Sequence, residues 1–301
     1  MPYLGELSAL LTAATFAVTS TFFTFAGRQV GSVVVNRTRL VLALIFLMIT
    51  HTILYGTPFP VDAELSRWGW LGVSGVVGLA LGDAFLFQSF LWIGPRIAML
   101  IMSLAPVLAT LLGWIFLGES LTFTQLMGIM LTVGGIAWVV FQRTPGPPPT
   151  DSERASRARG LLFAFGGAMG QAGGLVLAKP GLAGDFAPLS ANFIRMFSAV
   201  LIIWGFTLFQ RQARPTWDKL RATPRAALHI MGGAIAGPFI GVTFSMIALQ
   251  RTQVGIASTL IATTPIFLLP IGYFIFKERF GWSVIVGTLL AIAGVALLFV
   301  G

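Results

Sequence analysis

The chain alternates long apolar runs with short polar breaks. A transmembrane helix needs about 20 mostly apolar residues, whereas a transmembrane β-strand needs about ten residues of alternating polarity. The runs here are long and continuous, so each one predicts a membrane-spanning helix. The ten runs cover residues 4–26, 32–54, 68–91, 95–117, 121–142, 160–179, 188–210, 225–249, 254–276 and 281–300. The pattern therefore predicts an all-α membrane protein with ten transmembrane helices.

The longest polar break lies at the middle of the chain. Residues 142–160 read QRTPGPPPTDSERASRARG, and the prolines and charges of this segment disfavour a packed helix. We interpret it as a linker between two halves. The predicted organisation is a first five-helix unit at 1–142, a cytoplasmic linker at 143–159 and a second five-helix unit at 160–301.

The second half repeats the first at a constant offset of 159 positions from residue 78 onward. The matched pairs are Gly78 and Gly237, Gly82 and Gly241, Phe85 and Phe244, Pro106 and Pro265, Gly113 and Gly272, Glu119 and Glu278, Gly128 and Gly287, and Gly135 and Gly294. At a slightly different offset, Asn36-x-x-Arg39 matches Asn192-x-x-Arg195. Glycine matches are common by chance in membrane helices, but one register that also carries Pro, Glu and Asn-x-x-Arg predicts an internal duplication.

An odd number of spans in each half has a consequence for topology. The second half enters the membrane from the opposite side, which makes the two halves inverted repeats. Inverted repeats are typical of secondary transporters, whose substrate site lies near mid-membrane between the halves. We therefore expect transport by alternating access. An uptake carrier, an exporter of drugs or nucleosides and a channel-like facilitator remain alternatives.

The composition agrees with a membrane protein and argues against an enzyme. The chain is 56% hydrophobic and 10% charged, where soluble domains carry about 25% charged residues. No HExxH, GxSxG or P-loop motif is present, which disfavours hydrolytic enzymes and an ATP-driven pump. With no cysteine and two histidines, we expect no cofactor and no metal. The expected partners are a small-molecule substrate, protons and the lipid bilayer, without nucleic acid, and we expect a monomer.

The basic residues predict an orientation. Loops on one side of the ten predicted spans hold 15 Lys and Arg, and loops on the other side hold 4. Because basic residues accumulate in cytoplasmic loops, the count places both termini outside. It also accounts for the net charge of +9 without a nucleic-acid partner.

Two long stretches carry a family resemblance. Residues 82–140 contain Ala98, Ser103-x-x-Pro106, Gly118-Glu119, Gly128 and Gly135, and residues 251–299 repeat that order with Pro265 and Glu278. In this order the motifs resemble the EamA family of the drug/metabolite transporter superfamily. The overall pattern is similar to the YddG-type amino-acid exporters within that family.

The resemblance implies ten helices, with helices 1–4 and 6–9 around a central cavity and helices 5 and 10 packing the halves together. It also implies export of amino acids, including aromatic ones, or of related metabolites or drugs across a bacterial-type inner membrane. Members of the family are often drawn with cytoplasmic termini, which is opposite to the charge count.

Charged side chains inside apolar runs are the first candidates for a substrate site. Asp83 is the acid deepest in a span, and a charge at mid-bilayer normally faces a cavity or a partner. It could carry a proton or bind a substrate amino group, or it could form a structural contact, for example with Arg96. Arg39 could bind a substrate carboxylate, or its side chain could reach the membrane surface.

Other candidates are prolines, acids at helix ends and neutral side chains. Pro106 and Pro265 are predicted mid-helix, as hinges or fixed kinks that free carbonyls toward a cavity. Glu119 and Glu278, at helix ends, are expected to be solvated or paired across the repeat interface. The remaining candidates for substrate contact or for lining the cavity are Ser103, Thr263, Gln171, Phe85 and Trp92.

Overall fold

The computed structural model describes residues 3–140, 151–274 and 281–300. Within these ranges every regular element is a helix, which confirms the all-α class. The helices are α1 Leu4–Val30, α2 Ser32–Tyr55, α3 Leu65–Gly75, α4 Asp83–Met102, α5 Ala105–Leu117, α6 Phe123–Val140, α7 Asp151–Gly181, α8 Pro188–Phe209, α9 Ala213–Ala222, α10 Pro224–Ala234, α11 Val242–Arg251, α12 Val254–Ile261, α13 Thr264–Phe274 and α14 Trp282–Val300. A first π segment, Val76–Gly82, joins α3 to α4, and a second, Ile235–Gly241, joins α10 to α11.

Seven helical stretches in the described residues are long and apolar enough to cross a membrane. They are Leu4–Val30, Ser32–Tyr55, Leu65–Ser89, Arg157–Gly181, Pro188–Phe209, Pro224–Arg251 and Val254–Phe274. Three shorter apolar helices occupy Ala105–Leu117, Phe123–Trp138 and Trp282–Leu298. The chain is therefore a multi-pass membrane protein, and the count of ten spans stays a prediction.

Three helix boundaries differ from the predicted ones. The break expected between residues 91 and 95 is wrong, because α4 continues to Met102 and α5 begins at Ala105. The segment at 151–159, expected to be non-helical, forms the start of α7. The helix begins at Asp151, shortly after Pro149, which is the last proline of the linker. An acid in the first turn favours the start of a helix. The short helix α9 was not predicted and lies after the seventh run.

The structure repeats its own irregularities at the offset read from the sequence. The two π segments lie 159 positions apart, as do the first residues of α5 and α13 and those of α6 and α14. A turn at 103–104 precedes α5, and an equivalent turn at 262–263 precedes α13. The duplication therefore extends to positions where the helices break.

The halves exchange their first helices. Helix α1 packs on α10–α13 of the second half, and α7 packs along α3, the first π segment, α4 and α5 of the first half. Helices α2 and α8 contact each other between these two groups, and α6 lies against α14. Each half thus completes the bundle of the other.

Glycines allow the closest of these approaches. A Cβ on Gly170 would lie 2.6 Å from the Cα of Gly82, and a Cβ on Gly174 would lie 2.8 Å from the Cα of Gly78. Small residues let membrane helices approach backbone to backbone. The glycine-rich stretch 166–174 therefore seats α7 directly against the first π segment.

Candidate functional site

Asp83 lies where the first π segment ends and α4 begins. A π-helical turn holds an extra residue and disturbs the regular hydrogen bonding of the helix, and such turns are frequent at functional sites. The Asp83 side chain is 16% exposed and forms an ion pair with Arg39 of α2. The structure thus joins the two charged residues that the sequence analysis singled out separately, and Asp83 pairs with Arg39 where Arg96 had been considered.

Arg39 is held in place on several sides. Its Nε donates to Oδ1 of Asn36 at 2.9 Å, and its Nη2 donates to Asp83. The guanidinium carbon lies 5.6 Å from the ring centre of Phe23 and 5.5 Å from that of Phe87. Both distances are within the range of cation–π attraction. A cation, an anion and two aromatic rings therefore meet in one place inside the bundle.

The repeat-equivalent arginine has a different environment. Arg195 is the eighth residue of α8, as Arg39 is of α2, and it is 3% exposed. Its Nη1 donates to the sulfur of Met246 at 3.1 Å. The position equivalent to Asp83 is Val242, so the second half offers no matching carboxylate there. The charged pair is therefore a feature of the first half alone.

Asn192 binds the second π segment. Its Nδ2 lies 2.9 Å from the carbonyl oxygen of Pro238, 3.3 Å from that of Phe239 and 3.0 Å from the hydroxyl of Thr243. Because a π segment leaves carbonyls without their usual helical partners, a buried amide there satisfies them. Asn192 lies inside α8, so it stabilises the neighbouring helix and does not cap its own.

The two predicted cavity aromatics form a different cluster. Phe85 and Trp92 contact Phe163 of α7, with ring centres 5.2 and 4.8 Å apart. The rings beside Arg39 are instead Phe23 and Phe87. Phe87 follows Asp83 by four residues, a spacing that places both on one helix face, whereas Phe85 follows by two. That spacing favours Phe87 over Phe85 as the neighbour of Asp83, and no sequence signal links Phe23 of α1 to this place.

The two prolines do not lie mid-helix, so that expectation is wrong. Pro106 is the second residue of α5 and Pro265 the second residue of α13, each after a break. Proline lacks an N–H, so the first turn of a helix tolerates it and the helix interior does not. The predicted irregularity is present, but as an interruption between two helices.

The remaining candidates lie near these irregular points. Ser103 is buried at the first break, and Thr263, buried at the second, donates its hydroxyl to the carbonyl of Leu260 at 2.6 Å. The hydroxyl hydrogen of Thr263 is therefore already engaged, and only its oxygen could serve a ligand, as an acceptor. Gln171 is half-buried and follows Gly170, which meets the first π segment.

A second polar cluster joins the ends of α5, α7 and α12, and we call it the latch. Glu119 Oε2 accepts from the backbone N–H of Val254 at 2.8 Å, and Oε1 lies 3.4 Å from Nζ of Lys179. Lys179 also donates to the carbonyl of Thr252. The latch ties the two halves together, since Glu119 belongs to the first and the other three to the second. Glu278, the repeat equivalent of Glu119, lies outside the described residues.

Removing the charge of Glu119 is expected to loosen the latch. The side chains of Lys179 and Glu119 are 27% and 14% exposed. Even a solvent-exposed ion pair contributes up to about 1 kcal/mol, which corresponds to roughly a fivefold change in population. A cysteine that replaces the buried Val254 can report on the latch through its reaction with a membrane-impermeant maleimide. We expect Glu119→Gln to increase the rate of that reaction by a few-fold. The chain has no natural cysteine to interfere.

Glu64→Gln is the matched control for this measurement, because Glu64 is an exposed acid before α3 that takes no part in the latch. Equal labelling rates in the Glu119 and Glu64 variants would contradict a latch held by charge.

The fold and this arrangement define a class: a multi-pass helical transporter built from two repeats. The family model described as "EamA-like transporter family" matches the chain twice, over residues 3–141 and 158–300. The chain therefore belongs to the EamA-like transporter family. The two matches confirm the duplication and the suspected family, and the family is one of transporters, not of enzymes.

Comparison with solved structures supports the same fold. A chain titled "Crystal structure of protein" superposes with a TM-score of 0.75 at 17% sequence identity. The match covers 99% of this chain and 96% of that chain, so the two share the whole architecture. No curated protein matches the sequence significantly.

Proposed function

We propose that this protein is a secondary exporter of amino acids, including aromatic ones, that works by alternating access between its repeats. The observation that carries the proposal is the Arg39–Asp83 ion pair between the rings of Phe23 and Phe87. An amino acid has a carboxylate that suits a guanidinium and an ammonium group that suits a carboxylate. An aromatic side chain would fit beside the two rings.

The ion pair explains how the proposed substrate site can be stable when it is empty during part of the transport cycle. Two isolated charges inside a membrane protein would be costly, but paired charges compensate each other. A zwitterion replaces both partners at once, its carboxylate on Arg39 and its ammonium on Asp83. A ligand with a single charge would leave one of the two protein charges without a partner, which supports a zwitterionic substrate.

The proposed cycle uses the inverted repeats and the latch. We infer a bacterial-type inner membrane with the linker in the cytoplasm and both termini outside. Arg39 and Arg195 lie inside the bundle, and Arg96 lies within α4. Leaving these three out of the charge count gives 13 basic residues against 3, which keeps the orientation. The latch then lies on the external side. Opening it would expose the ion pair to the outside and release the substrate.

Uptake of labelled amino acids into proteoliposomes, with and without a pH gradient, tests the proposal. We expect saturable transport of at least one aromatic amino acid. Acceleration by a pH gradient in the wild type, lost in Asp83→Asn, would identify Asp83 as the proton carrier. Transport indifferent to the gradient would make the protein a facilitator. Absence of transport for every amino acid would contradict the assigned substrate class.

A further inference from the structure

Arg195 is a buried cation that lacks an adequate partner. It is 3% exposed, and among the described residues its Nε has no hydrogen-bond partner. Its Nη1 donates to the thioether of Met246, which is a weak acceptor. A buried guanidinium is stable when an anion compensates it, so its surroundings point to an anionic partner in another conformation.

Asp83 is the anion within reach of this arginine. The Nη2 of Arg195 would lie 3.4 Å from a Cβ on Gly78, in the π segment that leads directly into Asp83. A Cβ on Gly75, the residue before this π segment, would collide with the carbonyl oxygen of Arg195, so the arginine packs against the start of the segment as well. Asp83 is also the one acidic residue in the sequence between Leu65 and Met102. The carboxylate that pairs with Arg39 therefore follows directly on a segment that packs against Arg195.

The two arginines are related by the duplication. Each is the eighth residue of its helix in an Asn-x-x-Arg motif, and their helices, α2 and α8, contact each other. In transporters with inverted repeats, alternating access largely rocks one repeat against the other around a fixed site. Exchanging the conformations of the two halves would by itself place Arg195 beside Val242, which carries no charge. An anion for Arg195 must therefore come from the first half, where Asp83 ends the π segment that Arg195 contacts.

We propose that, when the carboxylate of the substrate binds to Arg39, Asp83 changes its arginine partner from Arg39 to Arg195. One oxygen of Asp83 then faces Arg195 and the other accepts from the substrate ammonium. Arg195 is then a positioning residue that stabilises the second conformation and does not itself bind substrate. The identity of the displacing carboxylate rests on the proposed function. The exchange between the two arginines rests on the geometry.

Distances between spin labels measure the exchange without substrate. Cysteines replacing exposed Ser120 and Asp185, both in loops near the latch, would be labelled and their separation measured by double electron–electron resonance in lipid. We expect Arg195→Met to increase the population of the conformation described here and Arg39→Met to decrease it, each by about tenfold. Both shifts should vanish when Asp83→Asn is added. Arg214→Met, at an exposed position on α9, is the control and should shift nothing.

The outcomes separate this proposal from the proposed function. Shifts in the same direction, or shifts that persist with Asp83→Asn, would overturn the exchange whatever the substrate is. Opposite shifts in a protein that binds no amino acid would support the exchange and reject the substrate. If Arg195→Met fails to fold, Arg195→Gln replaces it, and Arg195→Lys, which keeps the charge, should retain the wild-type distances.

Discussion

Replacing Asp83 with asparagine is expected to reduce transport by about 30-fold or more. Removing one partner of a buried charge pair costs about 2–5 kcal/mol, and 2 kcal/mol corresponds to roughly 30-fold. Asparagine keeps the shape of the side chain but leaves both Arg39 and the substrate ammonium without their counter-charge. The reduction should appear in kcat/KM for zero-trans transport in proteoliposomes.

Asp185→Asn removes an acid from the exposed loop between α7 and α8 and serves as the control for the Asp83 variant. Its transport should equal that of the wild type. If kcat/KM for transport by the Asp83→Asn protein is within twofold of the wild-type value, the role of this carboxylate is purely structural.

Replacing Gly170 with leucine is expected to destabilise the protein more than any single change in a lipid-facing position. A Cβ at this site would lie 2.6 Å from the Cα of Gly82 and 3.0 Å from the carbonyl of Val77. Helix α7 would have to move away from the first π segment, and overpacking of this kind costs about 1–3 kcal/mol or more. The midpoint of thermal unfolding in detergent should fall by several degrees.

Gly205→Leu provides the comparison, because a Cβ on Gly205 of α8 would meet nothing within 4 Å. The unfolding midpoint of that variant should stay near the wild-type value. Equal destabilisation by the two substitutions would show that loss of glycine, and not the close approach at Gly170, sets the effect.

The helical class and the duplication could be predicted because both can be recognised from short stretches of the sequence. A run of apolar residues specifies a membrane helix almost regardless of its neighbours. A repeat shows itself as equal residues in equal order, and the family match over 3–141 and 158–300 confirms it. The positions of the breaks were harder. Proline at 106 indicates that a helix is interrupted nearby. Because the first turn of a helix tolerates proline, the break lies just before it, at 103–104.

The candidate site could be predicted only in part. Asp83 and Arg39 stood out because a charge within an apolar run is unusual. The two residues are 44 positions apart in sequence, so no local pattern predicts that they pair. The π segments escaped prediction because they differ from an α-helix in hydrogen-bond register, not in composition. Phe23 reaches Arg39 through the packing of α1, which the sequence alone does not give.

Competition by single-charge analogues tests the central claim most directly. Phenylalanine, its amide and phenylpropionate have nearly the same shape, but the amide lacks the carboxylate and phenylpropionate lacks the ammonium. In counterflow of a labelled aromatic amino acid, we predict that phenylalanine competes and that each analogue is weaker by about 30-fold or more. The amide leaves Arg39 without an anion, and phenylpropionate leaves Asp83 without the ammonium of the substrate. Equal competition by all three compounds would contradict recognition of a zwitterion by the Arg39–Asp83 pair.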